Sequence, residues 1–306
     1  MNAPANVFRR AFSPLRAEPG SLGAALAAGL LLQMGAALTR GAFAQAFFAP
    51  LVSLFFVLLS FAAAEELSPA GGNAPSRPFF LEGLAAGFFY TFLLFGTGDP
   101  AGAAAVPVLG KLQGLAAWLE SVFADLLGLF HRLVFGGGVS YRYREVARGL
   151  ALSLLAAFLT LPFLIKNSPK LRLSKAEGKA LLLAGAPLLA LLFVRNIPGL
   201  LAVPVSVAFY FVTAALPEEL VFRRAFQSSL RSFSLLKEKP GARTAIAAAL
   251  FALAHVPLYW GEDGAAGILR IGAPLCAGLS MGALWERSRN LWLAVLYHAL
   301  FDAAVL

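Results

Sequence analysis

Long apolar runs separated by short charged segments make up most of the chain. Nearly charge-free stretches occur at 21–39, 41–64, 83–98, 149–165, 180–194, 197–217, 244–254, 271–285 and 291–301. Several of them approach the roughly 20 residues that a helix needs to cross a bilayer of about 30 Å, while others are shorter. The pattern predicts an all-α polytopic membrane protein with about eight transmembrane helices, within a range of seven to nine.

The stretch 103–130 allows two interpretations. It carries Lys111, Glu120 and Asp125 among apolar residues at helical spacing. This pattern suits a helix that lies in the membrane interface as well as one that crosses the bilayer. We therefore expect a possible interfacial helix in the N-terminal half.

Composition and charge agree with a membrane protein. Hydrophobic residues make up 59% of the 306 residues, and charged residues only 13%. The net charge of +9 would suggest nucleic acid as the partner of a soluble protein, but the positive-inside rule explains it better here. We place the basic segments 166–179, 223–243 and 285–290 on the cytoplasmic side and the acidic loop 259–264 outside. This makes the spans after residue 180 alternate consistently, and no nucleic-acid partner is expected.

Two adjacent carboxylates, Glu218 and Glu219, stand inside the otherwise apolar stretch ALPEELVFRRAF. On a helix Glu219 can pair with Arg223, four residues later, whereas Glu218 points about 100° away and lacks that partner. A charge at mid-bilayer is unfavourable by roughly 2.5 to 3.5 kcal/mol unless it faces protein or a water-filled cavity. Glu218 is therefore a functional candidate, with a span that simply ends at the cytoplasmic surface as the alternative.

Two of the three histidines also lie in apolar helical runs. His255 ends the run FALAH, and His298 is followed four residues later by Asp302, so that the imidazole and this carboxylate share one helix face. Polar groups on several membrane helices avoid lipid best by converging on one interior cavity. We expect His255, His298, Asp302 and Glu218 to meet there. A Glu and a His can deprotonate a water and a second His can stabilise an oxyanion, which suggests amide hydrolysis.

Other polar residues have simpler explanations. Glu65 and Glu66 close an apolar run, are followed by Pro and Gly, and have no arginine nearby in the sequence. We interpret this pair as a solvated helix end. His131 lies beside Arg132 in a basic stretch and is typical of an interfacial residue, so all three are expected outside the cavity.

Three short motifs carry a resemblance to a known family. EELVFR (218–223), FALAH (251–255) and HALFD (298–302) match, in order, the EExxxR, FxxxH and HxxxN/D motifs of the CAAX protease and bacteriocin-processing family. These glutamic intramembrane endopeptidases are related to the type II CAAX prenyl protease. The resemblance covers roughly 200–306 and implies a catalytic helical core there, preceded by N-terminal transmembrane helices at 1–199, in one integrated membrane domain.

The resemblance implies a role for each matching residue. Glu218 resembles the glutamate that activates water together with the histidine of the second motif, here His255. His298 and Asp302 occupy positions assigned to the oxyanion hole. Glu219 with Arg223 resembles the supporting pair that orders the site.

Asp302 departs from the Asn of the prenyl proteases, because an ionised carboxylate donates no hydrogen bond. Either Asp302 is protonated, or it orients His298 as an imidazolium donor, or it belongs to a metal site. We favour the second option. The resemblance implies no cofactor, although Glu218, His255, His298 and Asp302 have the ligand types of a divalent metal site. The one cysteine, Cys276, excludes a cysteine-based metal cluster.

The implied function is hydrolysis of a peptide bond near the membrane-anchored or hydrophobic end of a protein or peptide substrate. The implied location is the bacterial inner membrane, with the site towards its cytoplasmic half and the lipid bilayer as the surrounding partner. The alternatives are a zinc-dependent membrane protease and a non-proteolytic membrane immunity or transport protein, in which buried carboxylates and histidines are equally expected. A proton relay would not need the ordered set of three motifs.

Overall fold

The computed structural model describes residues 3–67, 107–135, 142–160, 172–195 and 202–305, and over these residues the chain is helical without strands. This confirms the predicted all-α polytopic membrane fold. The helices are α1 (Ala3–Ala17), α2 (Ala24–Thr39), α3 (Phe43–Glu65), α4 (Pro107–Phe135), α5 (Arg142–Leu159), α6 (Lys175–Arg195), α7 (Ala202–Tyr210), α8 (Leu216–Glu219), α9 (Ser234–Lys237), α10 (Pro240–Ala254), α11 (Val256–Asp263), α12 (Gly272–Ser288) and α13 (Leu291–Val305).

Six helical stretches in the described part of the chain are long and apolar enough to cross a membrane. They are Pro19–Thr39, Phe43–Glu65, Lys175–Val194, Val203–Ser232, Pro240–Trp260 and Gly264–Ser288. Two shorter apolar helices, Val146–Phe158 and Leu291–Val305, complete the set. The predicted apolar run at 83–98 lies outside the described residues.

The stretch that allowed two interpretations forms one 29-residue helix, α4. It packs against α5 and is not among the six stretches that are apolar enough to span a membrane. Large apolar side chains on α4 remain exposed, with Trp118 at 60% and Leu126 at 56% of their full accessible surface. The choice between an interfacial helix and a crossing helix therefore stays a prediction for this segment.

Helix α12 occupies the centre of the described helices. It packs against α2, α3, α10 and α13, and most of its residues are buried. Its first residue, Gly272, allows α2 to approach closely, because a Cβ atom there would lie 2.5 Å from the carbonyl oxygen of Gly29. Helix α13 in turn contacts α6 and α7. The N-terminal and C-terminal helices therefore share one packed interior, and the division at residue 199 stays a prediction.

Ion pairs mark two ends of the helical assembly. At one end Glu65 pairs with Arg287, and Glu66 pairs with Arg10 and Lys179. The expected solvated helix end is thus a partly buried helix end whose carboxylates bind cations. The sequence could not indicate this, because the partners come from distant helices. At the opposite end Asp263 pairs with Arg40 and Arg270.

A distant carboxylate also begins helix α10. The first amides of an α-helix have no partner within the helix, and Lys239 before Pro240 makes no side-chain cap. Glu18, from the turn between α1 and α2, accepts hydrogen bonds of 2.7 Å from the amides of both Gly241 and Ala242. This contact fixes the start of the helix that leads to His255.

Candidate active site

The two adjacent glutamates lie on an irregular helical segment, which we call the EExxxR segment (residues 216–227). It consists of the short helix α8 followed by a π-helix, Leu220–Gln227, and a further π-turn, Phe211–Ala215, precedes it. Pro217 lies inside the continuous helical stretch Val203–Ser232 and supplies no backbone amide donor, which agrees with the irregular turn before it. Isolated π-turns occur often at functional sites because they change the direction of side chains within a helix. Glu218 and Glu219 are both buried.

Helix α5 contacts the turn before this segment at close range. A Cβ atom on Gly149 would lie 2.5 Å from the Cα atom of Thr213 and 2.8 Å from the carbonyl oxygen of Val212. Only glycine fits this approach without a backbone shift. The backbone that leads to the two glutamates is therefore held from one side by α5.

Glu219 connects the EExxxR segment to helix α13. Its Oε2 atom lies 3.2 Å from Nε of Arg223, so the ion pair expected from the spacing of four is present. Its Oε1 atom lies 2.9 Å from Nδ1 of His298. Sequence reasoning missed the second contact, because no local spacing relates Glu219 to a residue 79 positions later. One carboxylate thus orients both a guanidinium and an imidazole.

Arg223 is completely buried. Its guanidinium carbon lies 5.2 Å from the centre of the Phe251 ring, a cation–π arrangement. Phe222 meets the same ring edge to face at 5.2 Å. Burial of this cation is tolerable because Glu219 neutralises it and an aromatic face replaces water on one side.

His298 lies among three carboxylates. Its Nε2 atom is 3.3 Å from Oδ2 of Asp302 and 3.8 Å from Oε2 of Glu218, while Nδ1 contacts Glu219. The pair with Asp302 follows from the spacing of four on α13. Both ring nitrogens therefore face carboxylate oxygens, and this arrangement favours an imidazolium that donates on both sides.

His255 occupies the junction between α10 and α11. Its Nδ1 atom lies 2.8 Å from the carbonyl oxygen of Phe251. A carbonyl oxygen only accepts, so we assign the proton of a neutral ring to Nδ1, which leaves Nε2 with a lone pair. The Phe251 ring lies between the two histidines, with its centre 4.8 Å from His255 and 5.7 Å from His298. In this tautomer, Nε2 of His255 can accept a proton or a hydrogen bond.

The four candidate residues thus come from three helical elements around the Phe251 ring. His298 lies 3.3 Å from Asp302 and 3.8 Å from Glu218, and the Phe251 ring lies between His298 and His255. Glu65 and Glu66 lie at the end of α3 with partners of their own. The side chain of His131 is outside the described residues.

The ligand types of a divalent metal site are present among the described side chains. No group of three or more His, Cys, Asp or Glu residues among them is arranged to hold a metal ion. Cys276 is buried on α12, where Gln33 donates to its sulfur. We therefore assign no chemical step to a metal.

Residues 199–304 match the family model described as Type II CAAX prenyl endopeptidase Rce1-like. The matched range includes Glu218, Glu219, Arg223, His255, His298 and Asp302. Over this range the chain is similar to the Rce1-like family. No curated protein and no solved structure matches the chain. The Rce1-like match supports a CAAX-type intramembrane protease in general and agrees with an integral membrane protein.

Proposed function

We propose that the chain is an endopeptidase that hydrolyses a peptide bond near the membrane-anchored or hydrophobic end of a protein or peptide. The observation that carries this proposal is the buried contact of His298 with Glu218, Glu219 and Asp302. A second histidine, His255, is placed beside them by the contact of its Nδ1 atom with the Phe251 carbonyl oxygen. Such a set combines a base for water with a donor for an oxyanion.

Glu218 and His255 activate water in this mechanism. Glu218 takes a proton from a water molecule that His255 Nε2 helps to orient, and the water oxygen attacks the carbonyl carbon of the substrate. The carbonyl π-electrons move onto its oxygen. The tetrahedral intermediate then collapses, the C–N bond breaks, and the proton held by Glu218 passes to the leaving amine.

His298 stabilises the oxyanion in this mechanism. Glu219 holds Nδ1, so that Nε2 is directed to the opposite side of the ring, where Asp302 lies 3.3 Å away. Asp302 favours the imidazolium form, and the Nε2–H group shares its hydrogen bond between Asp302 and the developing oxyanion. Asp302 thus acts through His298 and needs no proton of its own.

We infer the position of the candidate active site in the membrane from its distance along α13 and from the charge of the nearest end of the molecule. His298 is eight residues after Asn290, so it lies about 12 Å along α13 from the basic end of the molecule. If that end is cytoplasmic, as the positive-inside rule requires, the site lies at mid-depth on the cytoplasmic half of a bacterial inner membrane. A substrate bond close to a hydrophobic or lipidated segment reaches this depth without leaving the bilayer.

The test compares the C-termini of membrane proteins in cells that express the wild type, Glu218→Gln or Glu65→Gln. Gln keeps the shape of Glu218 but removes the base, and loss of a general base lowers the rate by roughly 10² to 10⁴. We expect shortened C-termini with the wild type and with Glu65→Gln, and none with Glu218→Gln. Identical C-termini in all three strains at equal expression would contradict a peptidase and favour the immunity or transport alternative.

A further inference from the structure

A buried glutamate at the basic end of the molecule is surrounded by arginines. Glu286, on α12, receives two hydrogen bonds from Arg243, with Nε–Oε1 and Nη2–Oε2 distances of 3.1 and 2.8 Å. Nη2 of Arg231 lies 3.2 Å and Nη2 of Arg289 lies 2.5 Å from Oε2 of the same carboxylate. One carboxylate therefore faces three guanidinium groups.

Positive charge around Glu286 is not balanced by the loop that covers it. Arg243 donates through Nη1 to the carbonyl oxygens of Leu236 and Lys237, which holds the loop between α9 and α10 against the cluster. This loop adds the exposed cations Lys237 and Lys239, and the exposed Glu238 is its one carboxylate. Together with Glu18, which accepts from the amides of Gly241 and Ala242, five cations accompany three carboxylates, and the cluster would gain from an added anion.

Two of the arginines have one guanidinium N–H donor each that is not used in the cluster. The Nε atoms of Arg231 and Arg289 are buried, yet neither has a hydrogen-bond partner in the part of the chain that the structure describes. Burial also lowers the pKa of Arg289 to about 9, which leaves it charged at neutral pH in poorly solvated surroundings. Buried donors without partners are rare and costly in native proteins.

The backbone at Arg289 points to a role for its side chain. Arg289 follows the last turn of α12 with φ +52° and ψ +22°, a left-handed conformation. Glycine is the usual residue at this position after a helix because it has no Cβ atom to crowd the next carbonyl. An arginine here is conformationally unfavourable, and its contact with Glu286 leaves Nε unused.

The cluster lies where three membrane spans end. The stretches Val203–Ser232, Pro240–Trp260 and Gly264–Ser288 all have an end beside it, which places it at the border between hydrocarbon and headgroups. The turn into α9 exposes two large apolar side chains next to it, Leu235 at 81% and Phe233 at 39% of their full accessible surface. A cationic cluster beside exposed apolar side chains matches the two parts of a phospholipid.

We propose that Arg231 and Arg289, held in place beside Glu286 and Arg243, bind the phosphate of an anionic phospholipid, whose acyl chains lie along Phe233 and Leu235. This site is separate from the candidate active site and does not rest on the proposed function. It is linked to the EExxxR segment by Gln227, whose Nε2 atom donates to Oε1 of Glu286 at 3.1 Å. A bound lipid would therefore steady the end of that segment.

The carboxylate at the C-terminus of a peptide substrate is a weaker fit for this cluster. The cluster lies about 12 Å along α13 from His298. The apolar side chains beside it, Phe233 and Leu235, are exposed just after the end of the span Val203–Ser232. An anionic phospholipid accounts for both features, because its phosphate would contact the arginines and its acyl chains would contact Phe233 and Leu235.

The test measures lipid retention by the purified full-length protein with native mass spectrometry. Phosphatidylglycerol and phosphatidylcholine with the same acyl chains are titrated onto wild type, Arg231→Gln, Arg289→Gln and Arg287→Gln. The last variant is the matched control, because Arg287 lies in the last turn of α12, two residues before Arg289, but pairs with Glu65. We expect wild type and Arg287→Gln to retain phosphatidylglycerol preferentially, and Arg231→Gln and Arg289→Gln to bind it about tenfold more weakly.

Three results would overturn the proposal. The first is equal retention of phosphatidylglycerol by all four proteins, each shown to be folded by an unchanged melting profile in phosphatidylcholine. The second is displacement of the lipid by inorganic phosphate alone at the same concentration, which would indicate a site for soluble phosphate. The third is unchanged lipid retention in Arg231→Gln and Arg289→Gln together with selective loss of cleavage of a free-acid peptide over its C-terminal amide, which would assign the cluster to the substrate.

Discussion

Single charged or titratable residues inside apolar helices were the clearest indication of a functional site in this sequence. Glu218, Glu219 and His298 are almost completely enclosed in the structure, and an apolar chain keeps such groups only where other polar groups meet them. The spacing of four identified both local pairs, Glu219 with Arg223 and His298 with Asp302. It could not identify the contact between Glu219 and His298, since that contact depends on how two distant helices pack.

Asp302 allows a test of the oxyanion mechanism at this scale. Asp and Asn fill the same space and differ mainly in charge. If Asp302 only favours a donating His298, Asp302→Asn retains cleavage within about tenfold of wild type, because an amide can itself donate to the oxyanion. The measurement is hydrolysis of a membrane-anchored reporter, built from a C-terminal segment identified in the proteomic comparison, by both purified proteins with and without a chelator.

Adding a chelator distinguishes the glutamic mechanism from the metal-dependent alternative. Activity that resists chelator in both proteins supports the glutamic mechanism. Loss of activity in Asp302→Asn, with chelator inactivation of the wild type and recovery on adding zinc, would overturn it in favour of a metal-dependent protease.

The sequence predicted which segments after residue 180 are helical, but it did not predict all of their ends or their irregular turns. The apolar runs after residue 180 each correspond to a helix, although the run that starts at 197 continues as a helix through the EExxxR segment to Ser232. The π-turns on either side of α8 carry no sequence signal, since π-turns depend on packing such as that of Gly149 against Thr213. The partners of Glu65 and Glu66 were equally hidden, because they come from α1, α6 and the end of α12.

Glu219 provides a test of how two of these elements are joined. Glu219→Gln leaves the fully buried Arg223 without a neutralising charge and weakens the contact with His298. Breaking one partner of a buried ion pair costs roughly 3 to 5 kcal/mol. We expect a clearly lower melting temperature for Glu219→Gln in detergent than for wild type.

Glu218→Gln is the matched control, since the same substitution is made one residue away at a group without an arginine partner. It should melt close to the wild type while losing cleavage. Equal melting of the two variants would contradict the view that Glu219 holds the EExxxR segment to α13.

In the described part of the chain, the two ends of the helical assembly differ in their excess of positive charge. One end contains the Glu286 cluster together with Arg10, Lys179 and Arg287, and the other contains Asp263 with its two arginines. The hydrogen bond from Arg40 holds the pKa of Asp263 below its usual range, so this carboxyl stays ionised at neutral pH. The positive-inside rule assigns the first end to the cytoplasm, in agreement with the order of spans after residue 180.

Cysteine labelling tests this orientation directly. Cys276 is the only native cysteine and is 2% exposed, so the wild type gives a low background with a membrane-impermeant maleimide. Glu238→Cys introduces an exposed thiol at the basic end, and Ala265→Cys introduces one at the opposite end. We expect Glu238→Cys to be labelled only in inverted membrane vesicles and Ala265→Cys only in intact spheroplasts. The reverse pattern would move the Glu286 cluster to the outer face, and the candidate active site would then open towards the outer half of the membrane.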